Sequence, residues 1–196
     1  MTSPIPLWIA EPTGACRLSL RRFRYRESDD GHWHNAATVI DEDAPVTAPG
    51  PDGSKPAADG RIPHDDPRWP SHCACGEAFA GDDRWQVNEL DWHQGSGGRF
   101  AWGTGSWEGL PGAMIRAPWA DREPDNGCPA YVIFLPNGST WCTRDRAATP
   151  GAGLGPQWTV TGVPPLITVS PSIDDRDPSR PWHGWIRAGE LVTVGS

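Results

Sequence analysis

Apolar side chains along this chain fall in short runs or in strict alternation with polar ones, cut by Gly, Pro, Asp and Ser, and that period of two predicts strands rather than helices. Leu7-Trp8-Ile9, then Leu18, Leu20, Phe23 and Tyr25 beyond a turn at Glu11-Pro12-Thr13-Gly14, read as an N-terminal β-hairpin. The strongest strand is Ala130-Tyr131-Val132-Ile133-Phe134-Leu135. Pro136-Asn137-Gly138 closes it and Ser139-Thr140-Trp141-Cys142-Thr143 answers it, a second hairpin carried by an Asn-Gly turn. Further strands are predicted over 157–161, 166–170 and 185–194, the last broken by a turn at Arg187-Ala188-Gly189-Glu190. One short helix is predicted over 82–90, capped by Asp82 or Asp83. Between 95 and 112, glycines interleave with Phe100, Trp102, Trp107 and Leu110, which reads as a loop pinned by aromatics. Segment 41–67 has almost no large apolar side chain and reads as an extended arm or loop that crosses the surface or reaches a partner. The organisation expected is an N-terminal hairpin segment (1–40), the arm (41–67) and a β core (68–196).

Composition sharpens this picture. Gly 23 and Pro 22 in 196 residues interrupt helices throughout, so an all-α fold is excluded. A formal net charge of -8 repels a phosphate backbone, and nucleic acid is not the expected partner. Arg21, Arg22, Arg24 and Arg26 alternate with Phe23 and Tyr25, the pattern of an edge strand with an arginine-rich solvent face. No run of about 18 apolar residues is present to span a bilayer. The first residues lack the basic start and apolar stretch of a signal peptide, so the expectation is host cytoplasm or a virion, where thiols stay reduced. Twelve tryptophans must bury against something: a core that replaces missing aliphatics, a protein interface, or sugar rings.

The chemistry concentrates in His72-Cys73-Ala74-Cys75-Gly76. Two cysteines one residue apart point at a common centre more readily than at each other, and the glycine lets the chain turn, which suits a tetrahedral Zn²⁺. Five cysteines cannot all pair, which also favours metal over a disulfide framework. His72, Cys128, Cys142 and His183 are the candidates for the remaining ligands. A site closed by four protein ligands is structural and supports folding directly. His32 and His34 have the His-x-His spacing of some metal hydrolases, but no carboxylate motif completes them, and they read as a polar strand edge. The acidic pairs, Asp82-Asp83 and Asp174-Asp175 among them, read as solvated turns. No phosphate-binding loop, dinucleotide fingerprint or nucleophile elbow occurs.

Leu7-Trp8-Ile9-Ala10-Glu11-Pro12-Thr13-Gly14, Asp66-Pro67-Arg68-Trp69-Pro70-Ser71-His72-Cys73-Ala74-Cys75-Gly76, Leu135-Pro136-Asn137-Gly138-Ser139-Thr140-Trp141 and Trp182-His183-Gly184-Trp185-Ile186-Arg187 together resemble a group of uncharacterised proteins encoded by tailed bacteriophages of actinobacteria. The Cys-x-Cys-Gly segment and the late His183 also look, more loosely, like a bacterial family of proposed metal-binding proteins found beside ubiquitin-like conjugation genes. In that family a cysteine precedes the late histidine by three residues. Here that position is Arg180, and the resemblance then implies a replacement such as Cys142. The metal set expected is therefore Cys73, Cys75, Cys142 and His183, with His72 and Cys128 as other candidates. The fold expected is mostly β with long irregular segments, small antiparallel sheets or hairpins stapled by a structural zinc site, and few short helices. The function expected is non-enzymatic: a virion-associated accessory, in the capsid or tail, acting through contacts with other phage structural proteins or with itself. The alternatives are a zinc-dependent hydrolase or accessory of ubiquitin-like conjugation, with His32, His34 or His183 at an open metal position, and a cell-wall glycan-binding module.

Overall fold

A computed structural model describes residues 3–25, 33–48, 61–81, 83–103, 109–120, 129–143 and 158–194. The protein is mostly β. In chain order the strands are β1 (Ile5–Pro6), β2 (Trp8–Ile9), β3 (Glu11–Tyr25), β4 (Trp33–Pro45), β5 (Arg84–Gly95), β6 (Gly98–Trp102), β7 (Ala113–Arg116), β8 (Tyr131–Phe134), β9 (Thr140–Cys142), β10 (Thr159–Val163), β11 (Leu166–Ser170), β12 (Ile173–Asp175), β13 (Trp182–Arg187) and β14 (Glu190–Thr193). A 3-10 turn covers Pro118–Ala120. The chain forms two compact units that interleave along the sequence: Met1–Pro12, His93–Phe100 and Trp107–Ser196 in the first, Thr13–Trp92 and Ala101–Ser106 in the second. Among the described residues, no helix is long and apolar enough to cross a membrane.

The first unit holds two four-stranded sheets, β1-β14-β13-β12 and β2-β7-β8-β9, and the two-stranded β10-β11. The pairing of β2 with β7 is parallel, Trp8 opposite Ala113. Its core joins Leu7, Met114, Ile133, Leu135, Trp141, Ile167, Val169, Ile173, Trp182, Ile186 and Leu191. The expected 130–143 hairpin is present as β8 and β9: Leu135 N–H donates to the Ser139 carbonyl at 2.9 Å, and Gly138 takes the positive φ of 85° that the turn requires. The turn at 187–190 is also present, with both Ala188 (φ 48°) and Gly189 (φ 84°) left-handed, as a two-residue hairpin loop demands. Gly184 is explained by packing, because a Cβ there would stand 2.4 Å from the Trp182 ring and 2.5 Å from the Val192 carbonyl.

The second unit holds β4 and most of β3 and β5, strands of the sheet ordered β4-β3-β5-β6. Several expectations are corrected here. The chain does not turn at 11–14: Glu11–Tyr25 is one 15-residue strand. Its turn-forming residues are absorbed by Gly14 at φ 80° and by a register shift between Cys16 and Leu18, which bends a strand without reversing it. β3 instead pairs antiparallel with β4, from Ala15 opposite Pro45 to Tyr25 opposite Trp33. The helix expected over 82–90 is strand β5, and the loop expected over 95–112 contains β6. β4 takes up 41–45 of the expected arm. Val46 and Ile62 pack on the second core of Cys16, Leu18, Leu20, Ile40, Trp69 and Val87. Thr47 and Arg61 both bind the Glu89 carboxylate, whose acidity these bonds increase although burial opposes it. Residues 49–60 of the arm lie outside the described residues.

The arginine-rich stretch is the largest correction. β3 lies inside the sheet, not at its edge, and Cys16, Leu18, Leu20, Arg22 and Arg24 are all buried. Side chains two apart in a strand share a face. One face of β3 therefore runs from apolar core into two buried guanidiniums, and Arg24 stands opposite His34 on β4.

Candidate metal centre

Residues 71–79 fold into a tight reversal beside this charged end of the sheet. His72 bridges Ala78, the Phe79 N–H donates to the Ser71 carbonyl at 2.9 Å, the Cys73 N–H to the Glu77 carbonyl at 2.8 Å and the Gly76 N–H to the Cys73 carbonyl at 2.9 Å. Gly76 has φ 90° with nothing within 4 Å of a Cβ position, so it is required for backbone conformation and not for space. The reversal places both sulfurs toward His34. Ligand atoms of His34, Cys73 and Cys75 lie within 4.8 Å of one another. The His34 Nδ1 to Cys75 Sγ distance is 3.4 Å. Two donors of a tetrahedral site with metal–sulfur bonds of about 2.3 Å stand roughly 3.6 Å apart, so this group can hold a metal ion. The Asn35 N–H lies 3.4 Å from Cys73 Sγ and stabilises negative charge on that sulfur.

The surroundings fit such an ion. Nε2 of His34 is 3.4 Å from a Glu77 carboxylate oxygen, so Nδ1 faces the sulfurs while Glu77 fixes the ring from its other nitrogen. The same reversal thus supplies two thiols and the carboxylate that orients the imidazole. Arg24 pairs with Glu77 and, at 3.4 Å, with Asp83, whose side chain is 0% exposed. Arg22 shares Asp83 at 3.4 Å, donates to the Pro70 and Ala80 carbonyls at 3.2 and 3.0 Å, and stacks 3.8 Å over the Trp85 ring. Both flanks of the cysteine segment are therefore pinned by one guanidinium. Burial lowers the Arg22 pKa and Asp83 opposes that shift. Asp83, expected in a solvated turn, is the buried counter-ion of two arginines.

Of the residues expected to bind metal, the structure brings Cys73, which is buried, together with Cys75, which is exposed. His34 joins them in place of the polar strand edge expected for it, with 3% of its surface exposed. Cys142 lies half-buried on β9, opposite Val132, and His183 on β13 makes a 3.0 Å hydrogen bond through Nε2 with the Ser172 hydroxyl. Both belong to the first unit, whereas Cys73 and Cys75 belong to the second, and neither is in the His34 group. His72 is exposed, its Nδ1 2.9 Å from the Ser71 hydroxyl. Cys128 and His32 lie outside the described residues. The signal that finds His34 is the β3–β4 register, which sets a histidine opposite an arginine and next to a backbone amide that meets Cys73. No family model, no curated protein and no solved structure matches this chain.

Proposed function

We propose that this chain is a zinc-binding, non-enzymatic binding protein, and that it serves as an accessory component of a phage particle. The observation that carries the metal is the His34, Cys73 and Cys75 group. Two thiolates and an imidazole are the donor set that soft or borderline ions such as Zn²⁺ favour over Ca²⁺ or Mg²⁺. Bound there, the ion ties the 71–79 reversal to β4, and it supports a fold whose loops carry few apolar side chains. Large apolar side chains held outside both cores support action through protein contacts: Val163 and Leu166 at the tip of the β10–β11 hairpin are 77% and 68% exposed, and Trp33 is 54% exposed. The phage setting rests on the motif resemblance, and the partners it implies are other particle proteins or further copies of this chain.

Elemental analysis of the purified protein is expected to find one zinc per chain, lost in Cys73→Ser. A folded, metal-free wild type overturns the zinc assignment. Mass spectrometry of washed particles is expected to find the chain, and its absence from particles overturns the virion assignment.

A further inference from the structure

We infer that Cys73 and Cys75 form a redox-controlled catch: a hydroperoxide joins the two sulfurs as a disulfide, which releases the metal ion and unties the 71–79 reversal from β4. The inference rests on the metal reading above and concerns the same ion. Both sulfurs belong to the group whose ligand atoms lie within 4.8 Å of one another, and neither is in a disulfide. They share one tight turn, closed by the Gly76 N–H to the Cys73 carbonyl at 2.9 Å. Residues two apart have Cα atoms at most about 7 Å from each other, and a turn draws them into the roughly 4.4–6.8 Å that a disulfide spans, so the bond closes within the reversal. So small a ring is strained, which makes the bond easy to reduce again and the catch reversible. The exposures then set the order of events. Cys75 is exposed and Cys73 is buried, so a peroxide arriving from solvent meets Cys75 first and Cys73 stands next to it as the resolving thiol. The Cys73 sulfur is also the one seated on β4, 3.4 Å from the Asn35 N–H and 3.7 Å from the Asn35 carbonyl. Turning it toward Cys75 takes it off that strand. A metal ligand must be a thiolate, and a disulfide sulfur carries no such charge, so the ion loses two donors in one step.

The step balances with hydrogen peroxide as the oxidant. The Cys75 thiolate attacks one peroxide oxygen, the O–O bond breaks, and hydroxide leaves a sulfenic acid on Cys75. The Cys73 thiolate then attacks the Cys75 sulfur, the S–O bond breaks, and a second hydroxide leaves. Each sulfur gives up one electron, the peroxide takes both, and two protons from solvent convert the hydroxides to water. The test uses the wild-type protein loaded with zinc and treated with one equivalent of hydrogen peroxide. Released zinc is read by a chromophoric chelator and the sulfurs by mass spectrometry of the tryptic peptide Trp69–Arg84, which holds both cysteines and no other. Zinc release is expected to match, one for one, a peptide lighter by two hydrogens, and dithiothreitol followed by fresh zinc is expected to restore both. Zinc that stays bound with the peptide mass unchanged overturns the catch and leaves the metal site standing. Zinc released while the peptide gains oxygen or does not change also overturns it, because the disulfide is then not the cause. A protein that holds no zinc before oxidation overturns the metal site, and this inference with it.

Discussion

Glu77 lies two residues beyond Cys75 and does its work at His34, which is 43 positions earlier in the chain. A carboxylate on the far nitrogen of a ligating imidazole fixes its tautomer and raises its basicity, and loss of such a partner costs about 10- to 100-fold in metal affinity. Glu77→Gln is therefore expected to weaken zinc binding by about that factor, measured by competition with a chromophoric chelator. Unchanged affinity excludes the assigned role. Asp83 makes a different case, because its neighbours are two buried guanidiniums at 3.4 Å. Removing one member of a buried ionic group leaves uncompensated charge and costs about 3–5 kcal/mol. Asp83→Ala is expected to lower the urea midpoint accordingly, and a cost under about 1 kcal/mol counts against burial of the triad. Neither role was legible in the sequence. Cys73 and Cys75 announce themselves by spacing, but an acid next to another acid looks solvated, and nothing local to His34, Glu77 or Asp83 says which arginine each will meet.

At the scale of elements, legibility followed how local the cause was. The 130–143 hairpin and the 187–190 turn were readable because Asn137-Gly138 and Gly189 carry their own conformational preference, strong enough at 187–190 to hold even Ala188 at a positive φ. β5 was not: Val87 and Leu90, buried three positions apart, imitate the spacing of a helix face. In a strand, residues an odd number apart point to opposite faces, so the same spacing means that both faces are covered. Pro12 and Gly14 misled in the opposite sense, since a bulge in a long strand draws on the same residues as a turn. One tie between elements yields a pH prediction. The Asp175 carboxylate on β12 accepts from the Asn137 side-chain amide at 2.8 Å, from the Ser139 hydroxyl and from the Asp177 N–H at 3.2 Å. Burial alone would raise its pKa, and these hydrogen bonds bring it below the usual value. A carboxyl depressed on folding stabilises fully above its unfolded pKa of about 3.9, and that contribution is lost as pH falls through the lower folded value. Urea unfolding of the wild type is expected to lose stability below about pH 4, and Asp175→Asn to flatten that slope. Identical slopes for the two proteins would remove Asp175 from the acid response.

Across the whole molecule, the metal group belongs to one compact unit and the larger apolar core to the other, so loss of the ion should be felt unevenly. Among the described residues the second unit's core cluster is smaller than the first unit's, and the 71–79 reversal is held by backbone hydrogen bonds, the two buried arginines and, when bound, the ion. A ligand that binds only the folded state contributes about 2.7 kcal/mol when present at a hundredfold its Kd. That free energy corresponds to roughly a hundredfold change in the population of the locally opened state, which amide exchange reads directly. Chelation is therefore expected to speed exchange at Asn35, Cys73 and Phe79 by about two orders of magnitude. The β13–β14 amides, which sit over Trp182, Ile186 and Leu191 in the first unit, are expected to keep their protection. An equal gain in exchange in both units would mean that the ion holds the entire chain, and no gain in either would mean that the cysteine reversal stands without it. Between those outcomes lies the claim that a nearby pair of sulfurs and a distant histidine organise one unit of this protein and leave the other to its aliphatic and tryptophan core.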